Sequence, residues 1–243
     1  MKNSKQDDYY LNIEGNSFFR RNFKDKEVPE LRLTKQIIYD EIKQSKIQFT
    51  KVLEYGGNYG DLLNYFRKND GISEAVCIDA SNDALEFGKK NYGDSIKFIH
   101  GTISNNKIND DPSFQNYFDL IIASQPYRSR ISVKKKVDYV VKPMIQALAS
   151  GGQLILVHAF GNDSGMEIIQ KVWSDENPFS SLSSDIIACL KNVLEDDLLN
   201  KLTFQSPETF RYNLRALPNE IENGISTSLI FSSWNAITYV GQI

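Results

Sequence analysis

"KVLEYGGNYGD", residues 51–61, passes from a short, mostly apolar run into three glycines interrupted by Asn58 and Tyr59. An apolar run that ends in glycines reads as a strand followed by a tight turn. At the C-terminal end of a strand such a turn either cradles a nucleotide or merely redirects the chain. Gly56, Gly57 and Gly60 supply positive φ and let a ligand approach the backbone. Asn58 is the commonest non-glycine residue in the left-handed conformation, so it weakens the motif without abolishing it.

Working outward, strand-like and helix-like segments alternate. Upstream, "PELRLTKQIIYDEIKQ" (29–44) carries Leu33, Ile37, Ile38 and Ile42 at helical spacing and predicts an amphipathic helix. Downstream, the pattern predicts helices at 61–68 and 82–91, the second opened by Ser81, with strands at 74–79, 95–100 and 118–124. The polar stretch 104–113 reads as a loop. A helix from about Val133 to Ala149 is expected to stop at Gly151 and Gly152, followed by a fifth strand at 153–160. This β-α-β order implies an α/β fold with right-handed crossovers and a parallel sheet buried on both faces, which explains strands that are nearly all apolar. Beyond it, helical stretches are expected near 164–173, 184–196 and 207–216, and the β-rich tail 226–243 would add antiparallel strands at the sheet edge. No repeat is visible, and 243 residues suit one domain.

Composition narrows the function classes. Hydrophobic residues make up 41% and charged residues 24%, which is ordinary globular usage, and a net charge of -3 provides no global field for nucleic acid. Cys77 and Cys189 form neither a bridge framework nor a metal-ligand spacing, so the expectation is a protein of the reducing cytoplasm without a metal. No signal peptide or apolar stretch of about 20 residues is visible, and no membrane association is expected.

Asp79 ends the second strand roughly 20 residues after the glycines, where an acid can accept hydrogen bonds from both hydroxyls of a ribose. Its other reading is an acidic residue before the helix start at Ser81. A dinucleotide fingerprint counted from Gly56 would want glycines at 58 and 61, where Asn58 and Asp61 stand.

"VLEYGGNYG" instead resembles motif I of the class I S-adenosylmethionine-dependent methyltransferases, with Glu54, Gly56, Asn58 and Gly60 at the motif positions. "AVCIDAS" resembles the second motif, "IKFIHGTISN" the third, "FDLIIASQPY" the fourth, and "ALASGGQLILVHAF" the helix, turn and strand that follow. The resemblance spans about Val52 to Phe160. It implies a Rossmann-like three-layer sandwich with a mostly parallel seven-stranded sheet and an antiparallel C-terminal edge. Within one domain over 1–243, residues 1–47 would form a helical lid region, 48–160 the cofactor core, and 161–243 acceptor-side helices and strands. S-adenosyl-L-methionine would be held by Glu54, Gly56, Gly57, Asn58, Gly60, Asp79, Ala80, Thr102, Ile103 and Ser124. Asn58 departs from a glycine, and Gly101-Thr102-Ile103 stands where many members carry an acid for the adenine amino group.

Methyl transfer from a sulfonium is an in-line displacement, so alignment dominates and a base is needed only when the acceptor must lose a proton. "SQPYR" (124–128) matches the Asn/Asp-Pro-Pro-Tyr/Phe run of amine-methylating members only at Pro126 and Tyr127, and Gln125 resembles small-molecule members instead. Arg128 and Arg130 could bind an acceptor carboxylate or phosphate, or be solvated residues at a helix start. His158 is a candidate base with Tyr127 beside the methyl group; His158 could equally bond locally, and His100 is expected to be structural. The aromatic-dense stretch 7–23, with Tyr9, Tyr10, Phe18 and Phe19, is expected either to close over the cofactor and acceptor or to pack on the sheet. The helical stretch around Arg211, Tyr212 and Arg215 is a second candidate for the acceptor wall. The leading expectation is methylation of a small polar or acidic metabolite. The alternatives are N-methylation of a protein, peptide or nucleic acid, and a cofactor-binding domain without catalysis; homo-oligomerisation stays open.

Overall fold

Strand β1 (Lys51–Tyr55) is buried from Val52 onward, as a strand covered on both faces must be. The computed structural model describes residues 5–24, 29–44, 48–124, 142–161, 202–203, 211–214 and 227–236. After β1 come α4 (Asp61–Asp70), β2 (Glu74–Asp79), α5 (Asn82–Tyr92), β3 (Lys97–His100) and β4 (Phe118–Ser124). The first three helices, α1 (Lys5–Tyr9), α2 (Gly15–Asn22) and α3 (Leu33–Gln44), precede β1, and a π-helical turn over Tyr10–Glu14 joins α1 to α2. Helix α6 (Lys142–Ala147) leads into β5 (Leu148–Gly161), and β6 (Leu202–Thr203), β7 (Arg211–Leu214) and β8 (Thr227–Ala236) follow.

The strands form one sheet in the order β3-β2-β1-β4-β5-β8-β6, with β7 also paired to β8. Pairing is parallel from β3 through β5, and β8 runs antiparallel to β5. Because β5 occupies one edge of β8 from Thr227 to Asn235, β6 and β7 lie along the other edge, at opposite ends. The expected mostly parallel sheet with an antiparallel C-terminal edge is thus present, and among the described residues it holds eight strands, two short ones sharing the last position. The order reverses between β1 and β4, so the glycine turn after β1 stands at the topological switch point, where open α/β sheets bind ligands.

On one sheet face Val52, Ala75, Cys77, Leu120, Ile122 and Ile155 meet Ile38 and Ile42 of α3, Leu62, Leu63 and Phe66 of α4, and Leu85 of α5. Each such fully buried aliphatic or aromatic side chain contributes about 1.5–3 kcal/mol relative to exposure. The opposite face, with Leu53, Tyr55, Val76, Ile78 and Ile121, is buried as well. Helix α5 starts where expected because Ser81 Oγ accepts from Ala84 N at 3.1 Å. Asp119 pins the start of β1 by accepting from Thr50 N, Thr50 Oγ1 and Lys51 N at 2.8–2.9 Å.

Two expectations are corrected. Helix α6 ends at Ala147 and β5 already begins at Leu148, paired with Phe118, so Gly151 and Gly152 lie inside the strand and do not end the helix. A register shift between Phe118 and Leu120 takes up this extra length, and at Gly152 a Cβ would stand 2.8 Å from the Asp119 carbonyl oxygen. The helix expected over 207–216 is replaced at Arg211–Leu214 by β7, whose polar-apolar alternation fits a strand with β8 to pair with. The helical stretches 164–173 and 184–196 lie outside the described residues. Among the described residues no helix is long and apolar enough to cross a membrane.

Candidate functional site

The turn after β1 is built from left-handed residues. Gly56, Asn58 and Gly60 have φ of 68°, 58° and 79°, so Asn58 does occupy a glycine-like position by adopting the conformation expected of it. The N–H groups of Gly56 and Gly57 donate to Ile78 O at 2.8 and 3.3 Å, which fastens the turn to β2. Gly57 is confined for another reason: a Cβ there would lie 2.5 Å from Cys77 Sγ and 3.2 Å from Glu54 Oε2. The buried Cys77 thiol donates to Asn58 O at 3.6 Å, and burial pushes its pKa up, so it behaves as a packing group.

Asp79 closes the site from β2. Its two carboxylate oxygens accept from Asn58 N and Ser81 N, both at 2.8 Å, tying the glycine turn to the start of α5. Burial raises its pKa, and those two N–H bonds oppose the rise. Ala80 follows, with His100 Nε2 at 3.1 Å from its carbonyl oxygen, so His100 makes the local contact expected of a structural histidine.

Glu54, fully buried, pairs with Lys35 of α3 through Oε1, while Oε2 has no hydrogen-bond partner among the described residues. Burial raises the Glu54 pKa and Lys35 opposes it. Asn58 Oδ1 is likewise buried without a hydrogen-bond partner among the described residues. Two orphaned acceptors beside a left-handed glycine turn fit a ligand that brings hydrogen-bond donors, which the amino group and ribose hydroxyls of S-adenosylmethionine would do.

Beneath the turn, Arg32 donates to Asp61 through Nε (2.7 Å) and Nη2 (2.6 Å) and to Gly57 O at 3.4 Å. Its guanidinium lies over the rings of Phe23 (5.4 Å) and Tyr59 (4.9 Å). Burial pushes the Asp61 carboxyl up, and the Arg32 charge with its hydrogen bonds more than reverses this, so Asp61 titrates below the ordinary carboxylate range. Sequence reasoning singled out none of these partners, although Lys35 stands in the apolar stripe of Ile38 and Ile42, where a charge signals a buried pair.

The N-terminal segment lies across the ends of β2 and β3. Asn16 Oδ1 accepts from Ser81 Oγ (3.0 Å) and Asp83 N (3.1 Å), Arg20 pairs with Asp83 at 2.5 Å, and Asp7 bonds Thr102 and Ser104. Phe19 packs with Phe23, Tyr59 and Ala84, and Phe18 packs against that group. Tyr9 is exposed, its ring 5.7 Å from that of Tyr10. Ile103 is buried, and its carbonyl accepts from Asn106 and Asn109 at 2.9 and 2.6 Å.

The backbone of Ser124 pairs with Val157 at the end of β4, and that of His158 pairs with Ile230. Gln125, Tyr127, Arg128, Arg130 and Arg215 lie outside the described residues. The structure therefore brings together Glu54, the glycine turn, Asp79 and Ala80, with Thr102 one strand over.

No family model matches the chain, and no curated protein matches it by sequence. Solved structures do match in fold. A Galdieria sulphuraria protein proposed to be a sarcosine dimethylglycine methyltransferase aligns over 96% of this chain and 100% of its own, at 10% identity and a TM-score of 0.56. The YcgJ protein of Bacillus subtilis aligns over 84% and 98%, at 14% identity and a TM-score of 0.52. A proposed methyltransferase of Haloferax volcanii, solved with the Trm112 methyltransferase activator, aligns over 86% and 95%, at 11% identity and a TM-score of 0.51. The fold is that of the class I S-adenosylmethionine-dependent methyltransferases.

Proposed function

We propose that this chain, which has the class I S-adenosylmethionine-dependent methyltransferase fold, transfers a methyl group from S-adenosyl-L-methionine to a small polar or acidic metabolite in the cytoplasm. The observation that carries the reading is the joint between Asp79 and Asn58 N–H, which sets an acid from β2 against a left-handed glycine turn at the switch point of the sheet. Bound there, the cofactor would supply a methyl group already activated on a sulfonium. Asp79 and Ala80 would hold the ribose end. Gly56, Gly57, Asn58 and Gly60 would line the methionine end, and the Glu54 and Asn58 oxygens that lack a partner among the described residues would be acceptors for its amino group.

On the acceptor side, Ser124 ends β4, and Gln125, Tyr127, Arg128 and Arg130 follow it in sequence. We assign them to orienting the acceptor, the arginines by pairing with a carboxylate or phosphate. His158 on β5 is the proposed base where the acceptor must lose a proton, and Tyr9 and Tyr10 the proposed cover. A net charge of -3 supports a small acceptor over nucleic acid.

The test is calorimetric titration of the purified chain with S-adenosylmethionine and S-adenosylhomocysteine, with NAD and ATP as controls. Micromolar binding of the first pair alone is expected and opens an acceptor screen. A response to NAD or ATP with silence toward the first pair rejects the reading.

A further inference from the structure

The β3 loop carries no acid at Gly101-Thr102-Ile103, yet a carboxylate stands there. Asp7 of α1 is 1% exposed, and it accepts from Thr102 Oγ1 at 2.6 Å and from Ser104 Oγ at 2.9 and 2.8 Å. It comes from 95 residues away in sequence. Asp79 pairs in register with His100, and Gly101 N donates to Asp79 O at 3.0 Å, so Thr102 lies just beyond the residue opposite Asp79. Adjacent strands are about 4.8 Å apart, a spacing that one ribose and its attached base can bridge.

The position of Asp7 is imposed by the fold. Asn16 grips Ser81 and Asp83, and Arg20 pairs with Asp83. Gly15 lies so close to Ala80 that a Cβ would come within 2.6 Å of its carbonyl oxygen. These contacts set the N-terminal segment on the β2 and β3 ends and deliver the Asp7 carboxylate to the Thr102 loop.

Chemistry distinguishes that carboxylate from the hydroxyls around it. A hydroxyl rotates to meet either a donor or an acceptor and so selects neither, whereas an ionised carboxylate accepts only. Because hydroxyl protons are free to swing, Thr102 and Ser104 can yield to an incoming amine; their oxygens already lie 3.5 Å apart, within reach of each other. A 6-amino group on the base would be accepted, and a 6-oxo group would set oxygen against oxygen.

We propose that Asp7 is the specificity-determining residue for the nucleoside base, accepting the exocyclic amine of an adenine whose ribose is held by Asp79. The proposal rests on reading the site as one for S-adenosylmethionine. The experiment titrates the full-length chain with S-adenosylhomocysteine and with S-inosylhomocysteine, in which 6-oxo replaces 6-amino. The wild type should prefer the adenine compound by roughly tenfold or more, since a site built for a polar group rejects the analogue lacking it. Asp7→Asn keeps a carbonyl for Thr102 and Ser104 and adds an amide donor for the 6-oxo group, so the preference should shrink to about threefold or less. Asn16→Ala loosens the segment without touching the base and should weaken both ligands equally. An Asp7→Asn variant that keeps the preference, or loses both ligands by one common factor, overturns the proposal. So does a wild type that binds both compounds equally, a result that needs no variant to fold. Wild type that binds neither compound refutes the cofactor reading itself and the proposal with it.

Discussion

Replacing Arg32 with Met should destabilise the protein by about 3–5 kcal/mol, the cost of leaving one member of a buried ion pair uncompensated. The structure sets the magnitude. Asp61 has no side-chain exposure, Arg32 has 11%, and two guanidinium nitrogens meet both carboxylate oxygens at 2.6–2.7 Å. Met keeps an apolar side chain of similar length but removes the guanidinium both from Asp61 and from above the Phe23 and Tyr59 rings, so the loss combines the stranded charge with two smaller cation-π contacts. At roughly 2–4 °C per kcal/mol for a chain of this size, the midpoint of thermal unfolding should fall by about 10 °C. Adding Asp61→Asn removes the stranded charge and should restore most of the loss. Urea unfolding between pH 7 and pH 5 gives a second reading. In the wild type the folded pKa of Asp61 is depressed, so its contribution is complete above the unfolded value of 3.8 and is lost only as pH falls through the folded value. Without Arg32, burial dominates and the folded pKa rises above the unfolded one, so the variant should gain stability relative to wild type as pH falls from 7. Glu54 and Asp79, whose pKa values are raised, also lose the smaller opposing charge of Arg32 in the variant, which adds to the same relative gain as pH falls. A loss under about 1 kcal/mol, or a double variant no more stable than Arg32→Met, would refute the argument.

Asp79→Ala should raise the dissociation constant for S-adenosylhomocysteine at least tenfold, about 1.4 kcal/mol, measured by calorimetry on a variant shown to be folded. Because burial lifts the Asp79 pKa above 3.8, wild-type affinity should start to fall at a pH above the ordinary carboxylate range as the acceptor is protonated, and Asp79→Asn should flatten that part of the profile. Gly57→Ala should cost about 1–3 kcal/mol by forcing a methyl group against Cys77. Combining it with Cys77→Ala removes the sulfur that stands 2.5 Å from the new Cβ, so the double variant should be more stable to urea than Gly57→Ala alone.

The parts of this fold that were legible in the sequence are those set by near neighbours. β1, the glycine turn, β2 and the Ser81 cap of α5 each draw on signals within a few residues, and Asn58 declared its left-handed conformation by its type alone. The expectation failed where a local pattern served two structures. Gly151 and Gly152 suit the end of a helix, and they also suit a strand that must pass close to Asp119; only pairing with β4 decides between them. Arg211 to Leu214 has the residues of a helix and the alternation of a strand, and the free edge of β8 decided that case.

The polar scaffold of the site was opaque for a different reason. Arg32–Asp61, Lys35–Glu54 and Asp7–Thr102 join residues 29, 19 and 95 positions apart, and nothing in the spacing of a charge names its distant partner. What the sequence does show is the violation: Lys35 in an apolar stripe. Burying a charge unpaired costs several kcal/mol, so that violation implies a partner even before the fold supplies its name. Glu54 is instructive because among the described residues only one of its oxygens finds such a partner. In a fully buried carboxylate at the end of β1, the second oxygen lacks a donor among the described residues, and a cofactor amino group at the glycine turn would be of the right chemical kind to supply one.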